Sequence, residues 1–307
     1  MTTPVFIFSL PRSGSTLLQK TLMAHSEISS ISEPWLLLPL CYTFKEKGIL
    51  TEYSHKTYLK GMNSVYESLP KGVESYHEVI RNACFQLYEK MANGHPFFLD
   101  KTPMYFLVID EIIRIFKGCK FIFLFRNPLG IFASSISGLR SDSTRRMDHL
   151  DRILYQGPRK LAQGYAQIGE KACLVRYEDL VICPEECLKN ICQYLEINFQ
   201  KNMLVDWAEI PLKGLGDHNI TNTHTINNNT EHWKNVINTC FRKQKVKKYI
   251  KSFPSEYLEL GSYDRHKMLK EIEDLKIKSL GVNEYYYFIE EQIVRCIKPL
   301  CKGTGLS

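Results

Sequence analysis

No stretch of this 307-residue sequence is apolar for long enough to cross a bilayer. Val5–Phe8 and Trp35–Cys41 are only a few residues each, and no basic segment precedes the first, so neither reads as a signal h-region or a span. The ten cysteines, at 41, 84, 119, 173, 183, 187, 192, 240, 296 and 301, contain no CxxC pair and no nearby CxxH. That spacing argues against a zinc site and for buried free thiols in a reducing compartment. Basic residues outnumber acidic ones by 40 to 33, a net charge of +7, yet they form no run long enough for a nucleic-acid arm. The excess is either a mildly basic surface or a cleft for an anionic ligand. Disorder is excluded as the main state, because 44% of residues are hydrophobic and 24% charged. A soluble, cytoplasmic protein with no nucleic-acid partner and no membrane span is expected.

What is there is a repeated switch between short apolar runs and helical periodicity. Val5–Ser9, Phe97–Leu99, Lys120–Phe125 and Ala172–Val175 read as strands, the third apolar on both faces as central parallel strands are. Helical spacing follows the first strand through Leu17, Leu18 and Leu22. It recurs from Trp35 to about Asn93 with breaks near Gly48, Gly61 and Pro70-Lys-Gly72, and then from Pro103 to about Lys117. A helix opens at Pro128 behind Arg126-Asn127, and others are expected over 150–171, 184–195, 231–252, 266–278 and 284–296. Residues 214–230 are polar and read as a loop. Strands alternating with helices predict an α/β fold, a central mostly parallel sheet flanked by helices.

Ligands of such sheets bind at the carboxyl ends of the strands, where each of the four strands carries polar residues. After the first comes Pro11-Arg12-Ser13-Gly14-Ser15-Thr16, then a helix. Successive N–H groups from Ser13 to Leu17 can face a phosphate there, with the positive end of the helix dipole behind them and Gly14 allowing close approach. It is not a Walker A loop, which needs Gly at 9 and Lys at 15 where this chain has Ser9 and Ser15. The cation is Arg12, ahead of the glycine.

These residues resemble the PAPS-dependent sulfotransferases, whose 5′-phosphosulfate loop reads Pro-[Lys/Arg]-Ser-Gly-[Ser/Thr]-Thr. The second motif of that family, an Arg ending a strand, then Asn-Pro and a Ser eight residues after the Arg, is matched by Arg126, Asn127, Pro128 and Ser134. The resemblance implies a P-loop NTPase-like sulfotransferase fold, PAPS as donor with PAP as product and no metal. It also implies that Arg126 and Ser134 hold the 3′-phosphate. A guanidinium fork suits that task, and Ser134 lies two turns along the same helix face. Tyr177-Glu178-Asp179 resembles the segment whose Tyr borders the adenine, and Leu258-Glu259-Leu260-Gly261-Ser262-Tyr263 the terminal Leu-Gly-Tyr with one residue inserted. The resemblance covers residues 4 to 263, so residues 1–264 are expected to form the sulfotransferase domain. Residues 265–307 are then a helical extension packed on that domain or on a partner chain, which leaves a homodimer open.

The chemistry needs a nucleophile, a base for its proton and cations for the leaving bisphosphate. Arg12 suits the last role, and Lys101 matches the family's Lys at the end of the next strand. The cytosolic small-molecule branch has a catalytic His two residues after that Lys, where this chain has Pro103. Protein-tyrosine and related branches use a Glu after the first helix, and Glu33 falls at that offset. His218 and His224, in the polar loop, are reserve candidates for the base. The acceptor is expected to be a small metabolite carrying a hydroxyl or amine. An ATP-dependent phosphotransferase and a non-catalytic nucleotide-binding module are the competing readings.

Overall fold

The first apolar run is the central strand of a five-stranded sheet, because every residue from Val5 to Phe8 can be buried on either side. The computed structural model describes residues 2–136, 152–212 and 230–279. These cluster into two units, one of residues 2–10, 14–125 and 163–212, the other of residues 11–13, 126–136, 152–162 and 230–279.

The first unit holds the sheet. Its strands are β1 (Thr3–Ser9), β2 (Ile28–Ser30), β3 (Phe97–Lys101), β4 (Lys120–Phe125) and β5 (Cys173–Arg176). They are ordered β2-β3-β1-β4-β5 and all pair in parallel. The flanking helices are α1 (Ser15–Met23), α2 (Leu37–Tyr42), α3 (His55–Glu67), α4 (Val73–Ala92) and α5 (Ile109–Ile115). The predicted α/β class and the four predicted strands are therefore present. β2 is the strand that periodicity misses, since Ile-Ser-Ser is three residues long and mostly polar. Gly61 breaks nothing: it lies inside α3, where no residue is buried and a glycine costs only helix propensity. The segment after β3 starts as a 3-10 turn, Pro103–Leu107, before α5.

Period two divides the sheet into two chemically different faces. Phe6 and Phe8 of β1 stack on Phe121 of β4 at 5.7 and 5.8 Å, and Phe6 meets Tyr88 of α4 and Phe116 at 6.1 and 4.9 Å. Such pairs are each worth about 0.5–1.5 kcal/mol beyond their area. Val5, Ile7, Ile122 and Leu124 point the other way into an aliphatic cluster with Leu17, Leu18 and Leu22 of α1. α1 is buried from Ser15 to Leu22, including Lys20, whose ammonium donates to the Ala208 carbonyl at 3.0 Å over the Trp207 ring.

The second unit contains α6 (Pro128–Ile136) and helices Trp233–Val236, Cys240–Lys251, Ser255–Leu260 and Arg265–Glu273. The continuous helix expected over 231–252 is interrupted at residues 237–239, where Thr239 turns extended and caps the next helix by accepting from the Arg242 N–H at 3.2 Å. The helix expected over 266–278 ends at Glu273. Ring contacts run from Phe132 to Tyr249, Phe253 and Tyr257 at 5.1–5.3 Å.

Parallel register pairs Phe6 with Asp100 and Ile7 with Lys101, so these two β3 neighbours point to opposite faces. Asp100 faces the aromatic side, fully buried, and accepts from Tyr88 at 2.7 Å and Tyr105 at 3.1 Å. Burial pushes its carboxyl up from 3.8 to about 7, against the two hydroxyls and Lys101, which pull it down. The folded state then binds more protons than the unfolded one between these values, so Asp100's contribution to stability is lost as pH rises from 3.8 to about 7. Urea denaturation across that window is expected to show a smaller fall in stability with pH for Asp100→Asn than for the wild type. Parallel pH dependences for the two proteins would contradict the burial account.

Candidate active site

The loop after β1 turns into α1 through two left-handed residues, Arg12 at φ 68° and Gly14 at φ 87°. Gly14 is required for a second reason. A Cβ there would collide with the ring of Tyr177, which lies directly on it in the first unit.

In that unit, three expected residues come together. Lys101 is 1% exposed, and its ammonium donates to the Thr16 hydroxyl of α1 at 3.4 Å and to the Glu33 carboxylate at 3.1 Å. Register explains the reach: Lys101 lies beside Ile7, on the face that α1 covers. The missing strand explains Glu33. β2 ends at Ser30, and Gln19 of α1 donates to the Ser30 hydroxyl and the Ile31 carbonyl, both at 2.7 Å, leading the chain to Glu33 at the carboxyl end of the sheet. A fifth strand end thus supplies a polar residue like the other four. Removing one partner of a buried ion pair costs about 3–5 kcal/mol, so Lys101 and Glu33 hold each other in place.

In the second unit, the Arg12 guanidinium donates to Ser134 at 3.0 Å, and Arg126 donates to the Arg12 carbonyl at 2.7 Å. Arg126, Arg12 and Ser134 therefore form one cluster. The Asn127 side chain accepts from the Leu129 N–H at 2.9 Å, starting α6. The fully buried Tyr257 exchanges hydrogen bonds with the N–H and the carbonyl of Arg126, both at 3.0 Å, and so fixes its backbone. The Ser13 hydroxyl is buried with no hydrogen-bond partner among the described residues, as is Ser32, next to Glu33. An orphaned hydroxyl inside the loop fits a site that holds an anion.

His218 and His224 lie outside the described residues, as do Cys296 and Cys301. Eight cysteines are described and all are free thiols: Cys41, Cys84, Cys187 and Cys192 are buried, Cys119, Cys173 and Cys240 half-buried, and Cys183, just ahead of the helix Pro184–Leu195, is exposed. Sequence reasoning missed Thr102 and Tyr105, which hold the segment after Glu33: Thr102 accepts from the Trp35 N–H at 3.2 Å and Tyr105 from the Leu37 N–H at 3.3 Å. It missed Tyr257 as well. Proximity to the Lys101 motif was the available sign for the first two; Tyr257 had none, being 131 residues from its partner.

Comparison with known proteins yields the same architecture. The sulfotransferase family profile matches residues 4–201, more than half of the chain. A protein-tyrosine sulfotransferase of Drosophila melanogaster is 25% identical over 213 residues, covering 65% of this chain and 39% of that protein. The nodulation protein NoeE of Sinorhizobium fredii is 30% identical over 135 residues, 42% of this chain and 30% of its own length. The chain thus spans well under half of these curated relatives. Among solved structures, the sulfotransferase domain from the curacin biosynthetic pathway superposes with a TM-score of 0.56 at 21% identity, covering 86% of this chain and 99% of that one. The sulfotransferase domain of the Synechococcus PCC 7002 olefin synthase gives 0.56 at 23%, with 86% and 96% covered. The structural likeness establishes the P-loop-like α/β fold, and the profile match over loop, sheet and the Lys101 and Arg126 strand ends establishes that this chain belongs to the sulfotransferase family.

Proposed function

We propose that this chain transfers a sulfuryl group from PAPS to a hydroxyl or amine of a small metabolite, releasing PAP. The observation that carries the reading is the position of the Lys101 ammonium, between Thr16 at the start of α1 and the Glu33 carboxylate. One cation there touches both the donor loop and the residue proposed as base. Residues Ser13 to Leu17 take the 5′-phosphosulfate, Arg126 and Ser134 the 3′-phosphate, and Tyr177 borders the adenine. Arg126 and Ser134 both reach Arg12, the first at its carbonyl and the second at its guanidinium, which supports their assignment to one phosphate next to the donor loop.

In the reaction, the acceptor oxygen or nitrogen attacks sulfur in line with the bridging oxygen. Its proton passes to Glu33 as the new bond to sulfur forms. The bond between sulfur and the bridging oxygen breaks, and its electron pair stays on the 5′-phosphate of PAP. Lys101 and Arg12 neutralise the charge that develops there. Pro103 stands where the histidine of the cytosolic branch would be, which supports Glu33 as the base. A tyrosine side chain of a peptide is a second acceptor, favoured by the similarity to a protein-tyrosine sulfotransferase. No helix among the described residues is long and apolar enough to cross a membrane.

Thermal denaturation with nucleotides separates this reading from an ATP-dependent phosphotransferase. PAP at a hundred times its Kd is expected to stabilise the protein by about 2.7 kcal/mol, with ATP and magnesium giving far less. Stabilisation by ATP with magnesium and none by PAP would favour the phosphotransferase. Arg126→Ala is expected to weaken PAP binding strongly, and an unchanged Kd would refute the 3′-phosphate role. Glu33→Gln is expected to keep PAP affinity while sulfated product from labelled PAPS and a metabolite extract falls by ~10²–10⁴-fold, the range of a lost general base. Full turnover in Glu33→Gln would move the base elsewhere, and loss of activity in His218→Ala or His224→Ala would then identify it.

A further inference from the structure

Glu33 sits on a short connection between β2 and α2 that has little backbone bonding of its own. Pro34 has no N–H to offer. Trp35 is held at φ 54°, a left-handed conformation that a bulky residue adopts only when its surroundings impose it. Leu37 opens α2, so its N–H is one of the helix's unsatisfied donors.

Both of these N–H groups are taken by side chains that follow Lys101. The Trp35 N–H donates to the Thr102 hydroxyl at 3.2 Å and the Leu37 N–H to the Tyr105 hydroxyl at 3.3 Å. Thr102 in turn hydrogen-bonds Tyr105. Tyr105 sends its one proton to Asp100 at 3.1 Å, where Tyr88 also donates at 2.7 Å. Asp100, Thr102, Tyr88 and Tyr105 are all completely buried. The donors and acceptors run in one direction, from the Trp35 amide through Thr102 and Tyr105 to a carboxylate on the sheet, and the phenol oxygen uses its lone pairs on Leu37 and Thr102.

We propose that Thr102 and Tyr105 are positioning residues for the transfer, locking the turn that carries Glu33 so that its carboxylate stays at Lys101. The proposal rests on the reading of Glu33 as the base. Neither residue touches donor or acceptor in this scheme; both act through the backbone of Trp35 and Leu37. A group displaced by about 1 Å can cost ~10²-fold in rate, so two hydrogen bonds to the turn are enough to matter for turnover without mattering for donor affinity.

Three variants test it. Thr102→Val removes the hydroxyl at nearly constant volume, Thr102→Ser keeps it, and Tyr105→Phe removes the second anchor. Tryptophan fluorescence reports the turn independently of activity, because Trp35 is 40% exposed while Trp207 and Trp233 are 1% and 3% exposed. Trp35→Phe identifies its share of the signal. Thr102→Val and Tyr105→Phe are expected to make Trp35 more quenchable by acrylamide and to lower kcat by ~10²-fold. They are also expected to leave KM for PAPS and the PAP-induced thermal shift unchanged, and Thr102→Ser to restore both quenching and kcat. If Tyr105→Phe does not fold, the Thr102 pair alone decides. Wild-type quenching together with wild-type kcat in Thr102→Val would overturn the proposal, as would a loss confined to PAP binding. A wild-type protein that neither binds PAP nor consumes PAPS would instead defeat the assigned function, and quenching would still decide whether the hydroxyls hold the turn.

Discussion

The Lys101 ammonium is 1% exposed, so protein oxygens must stand in for water around it, and much of the first unit is arranged around that requirement. Lys101 ends β3 on the face covered by α1, so its partner must come from a neighbouring strand end. β2 provides it by running beside β3 and delivering Glu33 three residues past Ser30. Gln19 of α1 ties the end of β2, and the same helix carries Thr16, another residue whose oxygen Lys101 reaches. The preceding residue obeys the opposite constraint. Asp100, one step back along the strand, is turned into the aromatic face, where two phenols donate to its Oδ2. A register shift of one residue would put the carboxylate under α1 and the ammonium among the phenylalanines, so alternation alone fixes which of the two is available to the site.

The second unit solves a different problem, how to hold a guanidinium whose backbone ends a strand. Tyr257 bonds both the N–H and the carbonyl of Arg126, groups that a sheet neighbour would otherwise occupy. The aromatic chain through Phe132, Tyr249 and Phe253 packs against Tyr257 in turn. The helices beyond residue 230 thus contribute to the arginine cluster through packing, although none supplies a charged group to it among the contacts described. Gly130, one turn into α6, leaves room for the Arg126 side chain to lie back along the helix, with a Cβ there only 3.0 Å from its Nε.

Legibility in the sequence followed from how local each cause is. Strands built on runs of three or more apolar residues, and the loop, Lys101 and Arg126 at their ends, could be read because period and punctuation sit within a few residues of each other. β2 could not, since an edge strand of Ile-Ser-Ser takes its identity from pairing with Phe97–Leu99 nearly seventy residues away. Gly61 misled because glycine is a weak breaker in an exposed helix with no packed face to disturb. Residues 237–239 misled in the other direction: Ile-Asn-Thr looks compatible with a helix, yet Thr239 gains more as a cap. Glu33 could be placed by its offset from Arg12, whereas Thr102 and Tyr105 act through hydroxyls on amides 67 and 68 positions away, contacts that leave no periodic trace.

The loop's lack of a lysine at position 15 acquires a physical meaning from this geometry. In a Walker-type loop the cation belongs to the loop and serves the nucleotide alone. Here the ammonium arrives from β3, at 3.4 Å from Thr16, and its second partner is a carboxylate rather than a phosphate. A cation anchored on a neighbouring strand is shared between two elements, so its position reports on both. On the proposed reading, donor charge drawn toward Lys101 weakens its hold on Glu33 at the moment when Glu33 must take a proton. Coupling of this kind follows from Coulomb competition for one ammonium in a site of low exposure, and it is unavailable to a loop whose lysine faces only the nucleotide.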